Sequence, residues 1–198
     1  MTIGLTGSIA CGKSTVAAML RELRYPVADA DAISRALTAP GGEALPAIRE
    51  AFGDGVFDGE ALDRRALGRI VFADPAQRER LNAILHPLII ARTLEQTAAN
   101  DAPGGLSFAD VPLLYECHMQ SHFDRVWVVA ASRETQLSRL AQRDGLSADE
   151  AALRIDAQMP LETKCALADA VIRTDGSLSD TRAQLMRLLA APEQRRQR

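Results

Sequence analysis

Apolar and polar positions along the chain follow two different periods. Short, mostly apolar runs predict buried strands at Thr2–Thr6, Pro26–Asp29, Leu106–Val111, Arg125–Ala130 and Ala170–Arg173. Between these runs, apolar residues recur every three or four positions, which predicts amphipathic helices at Ser14–Arg24, Ala32–Leu37 and Leu178–Ala190 and from Arg133 onward. Strands that alternate with helices predict an α/β fold, a three-layer sandwich in which helices cover both faces of a parallel sheet.

The middle of the chain has a different pattern. From about Glu43 to Asn100 helix-forming residues dominate, which predicts a helical insertion at about residues 40–100 within a single domain of residues 1–198. Pro87 lies inside this block, and a proline favours the end of the helix before it, so we expect His86 at a corner between two helices. Farther along, Ser147 with Glu150 three residues later predicts a helix start with a capping box.

The segment Gly7–Ser14 carries the strongest chemical signal. Its sequence, GSIACGKS, fits the pattern G-x-x-x-x-G-K-[ST] between a predicted strand and a predicted helix. In such a P-loop, main-chain N–H groups and the helix N-terminus bind the phosphates of a nucleotide. We expect Lys13 to contact the β- and γ-phosphates and the Ser14 hydroxyl to ligate Mg²⁺. The predicted ATP-binding residues of the loop are Ser8, Ile9, Ala10, Cys11, Gly12, Lys13, Ser14 and Thr15.

A P-loop does not identify a reaction, because GTPases, transporters and kinases share it. The chain has no Asn-Lys-x-Asp sequence for guanine selection and no Leu-Ser-Gly-Gly-Gln sequence of ATP transporters. An ATP-dependent kinase of a small molecule is therefore the favoured class. A nucleotide-binding switch that hydrolyses ATP slowly is the alternative.

Phosphoryl transfer to a hydroxyl group needs a carboxylate near the acceptor oxygen. Asp31 follows the second predicted strand, and the carboxyl ends of strands in a doubly wound sheet meet at the ligand crevice, so Asp31 is a candidate base. Capping of the helix that begins at Ala32 is its alternative role. Asp29 lies inside the predicted strand and is expected to be structural. Asp110 ends the third predicted strand, where it either helps to hold the metal ion or occupies the turn before a proline.

Three arginines surround the turn at Asp144–Gly145. Arg139 and Arg143 are four residues apart on one helix face, and Arg154 follows the turn. Together they predict a lid of about residues 139–160 that closes over the phosphates, with Arg139 as a catalytic residue and Arg143 as an ATP-binding residue. For each arginine taken alone, solvation at the surface is the alternative.

Composition narrows the range of partners. The chain has 198 residues, of which 47% are hydrophobic and 25% charged, enough to bury a sizeable core. Its net charge of −3 supplies no positive field for nucleic acid, and the basic stretch Arg195–Arg198 is assigned no function. The three widely spaced cysteines fit a reducing compartment, and no targeting or membrane-spanning segment is predicted. We expect a cytoplasmic protein with no membrane contact and no obligate protein partner.

Motifs along nearly the whole chain recur together in one family, in the same order and at the same spacing. They are the phosphate loop in Leu5–Val16 and the segments Ala30–Arg35, Leu62–Leu67, Val71–Phe72, Leu85–Ile89, Asp110–Glu116, Gln142–Asp144 and Arg154–Pro160. With these motifs the chain resembles the dephospho-coenzyme A kinase family. The fold that this resemblance implies is a P-loop kinase with a helical substrate-binding insertion and a helical lid.

The resemblance implies that the γ-phosphoryl group of ATP passes to the ribose 3'-hydroxyl of dephospho-coenzyme A with Mg²⁺, which is the last step of coenzyme A synthesis. It supports Asp31 as the base, places Arg64 and His86 in the substrate-binding insertion, and places the turn at Thr174–Gly176 near the adenine. A P-loop kinase of another small-molecule alcohol, such as a nucleoside or a sugar, is the alternative within the same fold.

Two positions depart from the family pattern. Ala10–Cys11 stands where the family usually has Gly-Ser, so a side chain occupies a loop position that favours glycine. Thr174 stands where the family has an asparagine near the adenine. Because Cys11 lies at a helix N-terminus, we also expect its thiol pKa to be lowered and the protein to be sensitive to oxidation.

Overall fold

The computed structural model of the chain describes residues 1–98 and 103–191. The chain divides into two units, one made of Met1–Ala28 with Thr97–Arg198 and the other of Asp29–Gln96. The basic stretch Arg195–Arg198 and the last two residues of the predicted insertion, 99 and 100, lie outside the described residues.

The described residues contain seven strands and nine α-helices. The strands are β1 (Thr2–Gly7), β2 (Val27–Asp29), β3 (Phe57–Asp58), β4 (Ala61–Leu62), β5 (Ser107–Asp110), β6 (Arg125–Ala130) and β7 (Ala170–Arg173). The helices are α1 (Lys13–Glu22), α2 (Ala30–Leu37), α3 (Leu45–Phe52), α4 (Arg64–Ala73), α5 (Pro75–Thr97), α6 (Arg133–Asp144), α7 (Ala148–Asp156), α8 (Leu161–Leu167) and α9 (Leu178–Ala190). Short 3₁₀ turns are present at Asp54–Val56, Pro103–Gly105 and Gln120–His122.

The main sheet has the strand order β2-β5-β1-β6-β7. β1 pairs in parallel with β5 and β6, and β6 pairs in parallel with β7. Helices flank this sheet, and the aromatic side chains of Phe108 and Trp127 pack in its core with ring centroids 5.4 Å apart. The predicted α/β fold with a parallel sheet is confirmed, and the central position of β1 sends its carboxyl end directly into the phosphate loop.

The unit Asp29–Gln96 contains α2, α3 and α4, most of α5 and the antiparallel pair of β3 and β4. Asp63 caps the N-terminus of α4, because its carboxylate accepts hydrogen bonds from the N–H groups of Arg65 and Ala66. Polar caps and helix-forming residues thus build this unit largely from helices.

The predicted helix end before Pro87 is wrong. α5 runs over 23 residues from Pro75 to Thr97 with Pro87 inside it, and His86 is a half-buried residue in the middle of the helix rather than at a corner. A proline removes one main-chain hydrogen bond and crowds the preceding turn, which costs about 3 kcal/mol in a helix interior. In a helix this long the other turns keep their hydrogen bonds, so the helix continues through the proline.

The region around residues 139–160 forms a helix pair. α6 ends before Gly145, which has a φ of 66°, and α7 begins after Ser147. The predicted capping box is confirmed, since the Ser147 side chain accepts from the Glu150 N–H and the Glu150 carboxylate accepts from the Ser147 N–H. In the part of the chain that the structure describes, every helix is too short or too polar to cross a membrane.

Candidate active site

The phosphate loop joins the buried end of β1 to the start of α1. A Cβ atom at Gly7 would lie 2.5 Å from the carbonyl oxygen of Val129, so the packing of β1 against β6 requires glycine at this position. Gly12 precedes α1 with a φ of 84°, a left-handed conformation that glycine adopts without strain. No side chain of the described residues caps the N-terminus of α1, and its first N–H groups are placed to bind an anion.

Five side chains from distant parts of the chain hold the outer side of this loop. We call Gln136, Arg139, Gln158, Lys164 and Thr174 the loop braces. Their contacts are Lys164 Nζ to Gly7 O (3.3 Å), Ser8 Oγ and Ile9 N to Gln158 Oε1 (2.8 Å each), Gln136 Nε2 to Ile9 O (2.6 Å), Arg139 Nη1 to Ala10 O (3.1 Å) and Thr174 Oγ1 to Cys11 O (2.7 Å).

The loop braces determine where the N–H groups of the loop point. In a trans peptide the carbonyl of one residue and the N–H of the next point in opposite directions, and the described residues have no cis peptide bond. The carbonyls of Ile9 and Cys11 are turned outward to their braces. The N–H groups of Ala10 and Gly12 therefore face the inner side of the loop, as a phosphate-binding nest requires.

Sequence reasoning missed Gln136, Gln158 and Lys164 as functional residues. Their partners in the loop lie 127, 150 and 157 residues away along the chain. Gln158 lies within the motif segment Arg154–Pro160, but the motif does not indicate a contact with the loop. Gln136 and Lys164 lie in no motif segment, so these contacts are visible only in the fold.

Ala10 occupies a strained conformation in the loop. Its φ is 58°, in the left-handed region where a Cβ atom costs about 1 kcal/mol. The expected preference of this position for glycine therefore has a structural cause.

Replacing Ala10 with glycine is expected to stabilise the protein by roughly 0.5–1 kcal/mol, because glycine adopts this φ without the steric cost. The midpoint of urea unfolding measures the change. Ala18→Gly is the control, since Ala18 is an exposed residue inside α1 and its replacement is expected to cost about 1 kcal/mol. A lower midpoint for Ala10→Gly, as in the control, would contradict the interpretation.

Lys13 and Asp110 form an ion pair at the mouth of the loop. The Lys13 ammonium donates to Asp110 Oδ1, and Asp110 is only 8% exposed at the end of β5. In the parallel register of the sheet Asp110 lies opposite Leu5 of β1. The structure thus brings together two of the predicted site residues, and the Asp110 carboxylate faces the loop lysine.

The side-chain oxygen atoms of Asp110 and Ser14 at the phosphate loop are suitable ligands for Mg²⁺. A magnesium ion in nucleotide enzymes is held by one or two side chains together with phosphates and water, and it prefers hard oxygen ligands. The Asp110 carboxylate lies at the loop, and the exposed Ser14 is the second residue of α1, next to Lys13. Within residues 1–98 and 103–191 no cluster of three or more His, Cys, Asp or Glu side chains could hold a metal without a substrate. Asp110 and Ser14 thus supply the kinds of oxygen atom that Mg²⁺ prefers.

The three arginines of the predicted lid separate into two groups. Arg139 is bound to the loop and to Thr174, whose carbonyl it contacts at 2.6 Å and whose hydroxyl at 3.0 Å. Arg143 and Arg154 meet at Asp144, with N–O distances of 2.8 and 3.6 Å. The hydrogen bond from Arg143 is the main reason that the pKa of Asp144 lies below its ordinary value. The structure thus places Arg143 and Arg154 together and Arg139 apart from them.

The turn after β7 is closely held. Thr174 is 5% exposed, and its hydroxyl is engaged with Cys11 and Arg139. The Asp175 carboxylate accepts from the Ser132 N–H at 2.7 Å, and this bond is the main reason that its pKa is lowered. The Thr174 hydroxyl therefore helps to hold the conformation of the phosphate loop.

The expected lowering of the Cys11 thiol pKa is wrong. The side chain is buried, with 1% exposure, and desolvation raises the pKa of its thiol above the ordinary value. A main-chain hydrogen bond from Lys13 and the charges of Lys13 and Lys164 lower the pKa by a smaller amount. Burial thus outweighs the effect of the helix N-terminus, and the thiol stays protonated.

Alkylation of Cys11 by iodoacetamide at pH 8 is expected to be at least ~10-fold slower in the folded protein than in the urea-unfolded chain, because a buried protonated thiol is a poor nucleophile. Mass spectrometry of the digested protein measures it. In parallel, peroxide is expected to inactivate the wild type and Cys11→Ser equally. Rapid labelling of Cys11 in the folded protein would show that burial does not protect it.

Asp29 has the structural role expected of it, and it caps α2 in place of Asp31. Asp29 is the N-cap of α2, since its Oδ1 accepts from the Ala32 N–H at 2.9 Å. Asp31 lies in the first turn of α2 with an exposed side chain. The capping role weighed for Asp31 is therefore wrong, because the helix begins two residues earlier than the sequence indicated.

Arg64 and His86 belong to the unit Asp29–Gln96. Arg64 begins α4, and its guanidinium donates to Thr38 Oγ1 at 2.9 Å and to the Arg35 carbonyl at 3.3 Å. His86 lies within α5. Their roles toward a substrate stay predictions.

Comparisons with known proteins agree on one family. A family model described as dephospho-CoA kinase matches residues 1–180. The dephospho-CoA kinase of Symbiobacterium thermophilum is 52% identical over 188 residues, which cover 92% of this chain and 77% of that protein. Among solved structures, TT1252 from Thermus thermophilus superposes with a TM-score of 0.81 at 39% identity, covering 96% of each chain. Dephospho-CoA kinase from Campylobacter jejuni gives a TM-score of 0.67 at 30% identity, covering 95% of this chain and 94% of that one.

Proposed function

The chain belongs to the dephospho-CoA kinase family, and from this membership we propose that it transfers the γ-phosphoryl group of ATP to the ribose 3'-hydroxyl of dephospho-CoA, giving CoA and ADP. The observation that carries the proposal is the braced phosphate loop with Lys13 and Asp110 at its mouth. It supplies inward N–H groups, a lysine and a carboxylate at one place, which are the parts that phosphoryl transfer from a nucleotide needs.

We propose that ATP binds in the loop formed by residues Ser8–Thr15, through inward main-chain N–H groups that include those of Ala10 and Gly12. Lys13 then leaves Asp110 for the β- and γ-phosphate oxygens, and its charge stabilises the transition state. Ser14 and Asp110 would hold Mg²⁺, which neutralises phosphate charge when it is bound. Arg143 is proposed to bind the phosphates after it releases Asp144, since an exposed ion pair costs little to break.

For the acceptor, we propose that Asp31 takes the proton of the ribose hydroxyl and that Arg64 and His86 bind dephospho-CoA. The exposed position of the Asp31 carboxylate in the first turn of α2 supports this role, because the helix cap is already supplied by Asp29. Arg139 is proposed to act beside the loop, where its charge lies close to the phosphates while its hydrogen bonds maintain the loop. The three free cysteines fit the proposed cytoplasmic location.

Release of ADP from ATP by the purified protein tests the proposal. We expect dephospho-CoA to start ADP formation, and adenosine, a hexose or water alone to give none above background. Turnover with another alcohol and none with dephospho-CoA would favour a different P-loop kinase. Slow ADP formation that no alcohol accelerates would favour a switch protein.

A further inference from the structure

The two lysines of the chain are both at the phosphate loop. Of 23 basic residues in the sequence, only Lys13 and Lys164 are lysines. Lys13 belongs to the loop itself, whereas Lys164 lies on α8 and is fully buried, with 0% exposure. A buried ammonium group is costly, so its partners indicate its purpose.

Lys164 joins two segments that carry the proposed chemistry. Its Nζ lies 2.7 Å from Glu116 Oε1 and donates to the carbonyl of Gly7 at 3.3 Å. Gly7 is the first residue of the phosphate loop. Glu116 lies on the segment that leaves β5 after Asp110, and this segment is bound to β1 where Thr6 Oγ1 donates to Pro112 O at 3.0 Å. One ammonium group therefore fixes the loop to the segment that follows the Asp110 strand.

The surroundings of Glu116 show that Lys164 balances its negative charge. Glu116 Oε1 also accepts from the Met159 N–H at 3.1 Å, while the buried Oε2 has no hydrogen-bond partner among the described residues. Lys164 is therefore the cation that neutralises this carboxylate. A buried ion pair of this kind adds little net stability compared with apolar side chains of similar volume. Its main distinguishing feature is the N–H donor that it presents to Gly7.

The shape of Lys164 suits this task. An ammonium group is a compact charge with three donors, so it can contact a carboxylate and a main-chain carbonyl at once, whereas the planar guanidinium fork of arginine needs more room. The bond to Gly7 O turns that carbonyl to the outer side of the loop. By the trans geometry of the peptide, the N–H of Ser8 then points in the opposite direction.

We infer that Lys164 is a positioning residue for phosphoryl transfer, with Glu116 as its counterion. It holds the first peptide of the phosphate loop in the conformation that binds ATP and keeps the loop in register with the Asp110 segment. The inference rests on the proposed function, because it assigns Lys164 to the same reaction.

A double variant separates the positioning role of Lys164 from any contribution of the ion pair to folding stability. Lys164→Met/Glu116→Gln removes both charges and the donor to Gly7, and the amide oxygen of the glutamine keeps an acceptor for the Met159 N–H. We expect its urea midpoint to stay close to that of the wild type, while kcat falls on the order of 10-fold or more and KM for ATP rises, because the loop is misplaced. KM for dephospho-CoA is expected to change less than about twofold, since Lys164 acts on the ATP loop.

Arg182→Met/Glu22→Gln is the matched control. It removes an ion pair of 3.0 Å that joins α9 to α1 in the same unit and does not touch the loop. We expect it to keep kcat and both KM values. Lys164→Met alone is expected to lower the urea midpoint as well, because it leaves the partly buried Glu116 carboxylate, with its inaccessible Oε2, without a cation.

Several outcomes would overturn the inference. A double variant with normal stability and normal kcat would show that the bond to Gly7 is not needed. If this variant and Lys164→Met/Glu116→Leu both fail to fold, the pair is structural and the positioning role is wrong. A wild type that does not phosphorylate dephospho-CoA contradicts the proposed function instead, so the two failures are distinguished before any variant is compared.

Discussion

Replacing Lys13 with alanine is expected to lower the rate of phosphoryl transfer at least ~100-fold, because the transition state loses a preorganised positive charge. The Lys13 ammonium is bonded to Asp110 at the mouth of the loop, and its side chain is only 17% exposed. It is therefore held at the place that we propose for the phosphates of ATP. Steady-state turnover with ATP and dephospho-CoA measures the loss.

Arg21→Ala is the control for Lys13→Ala. Arg21 is a basic residue in the last turn of the same helix, with an exposed side chain. Its removal changes the net charge equally but is expected to leave turnover within about twofold of the wild type. Near-normal turnover of Lys13→Ala would exclude the assigned role of this lysine, and an equal loss in both variants would point to a general effect of charge.

Asp31→Asn is expected to reduce phosphoryl transfer at least ~100-fold, since the amide cannot accept the proton of the acceptor hydroxyl. The affinity for ATP is expected to stay within about twofold, because the phosphates bind to the loop and not to the acceptor base. Single-turnover transfer and equilibrium binding of ATP measure the two quantities separately. Loss of transfer with intact ATP binding is the expected result for a kinase.

The structure supplies a stability control for this prediction. Asp29 caps α2 and Asp31 does not, so Asp29→Ala is expected to cost about 1 kcal/mol of unfolding free energy. Asp31→Asn is expected to leave the urea midpoint unchanged. Retained transfer in Asp31→Asn would contradict a base at this position and favour the switch alternative. A lowered midpoint would show that the loss of activity comes from folding.

The parts of the site that the sequence predicted are local ones. A strand, a glycine-containing loop and a helix follow each other within residues 2–22, and each is marked by its own residue types. The capping box at Ser147 and Glu150 is equally local. Short-range steric and hydrogen-bonding rules govern these features, so the sequence alone identifies them.

The parts that the sequence could not predict depend on tertiary contacts. The braces Gln136, Gln158 and Lys164 act across more than a hundred residues of sequence. Burial in the folded core reverses the local expectation for Cys11, and a long helix overrides the local expectation at Pro87. At Cys11 and Pro87 the surrounding fold thus outweighs the effect of the neighbouring residues.

The product of the reaction tests the central claim most directly. Purified protein is incubated with ATP, magnesium chloride and dephospho-CoA, and the products are quantified by chromatography and phosphorus NMR. We predict ADP and CoA in equal amounts, with the new phosphate on the ribose 3'-hydroxyl. Formation of ADP with inorganic phosphate and without CoA would contradict the account.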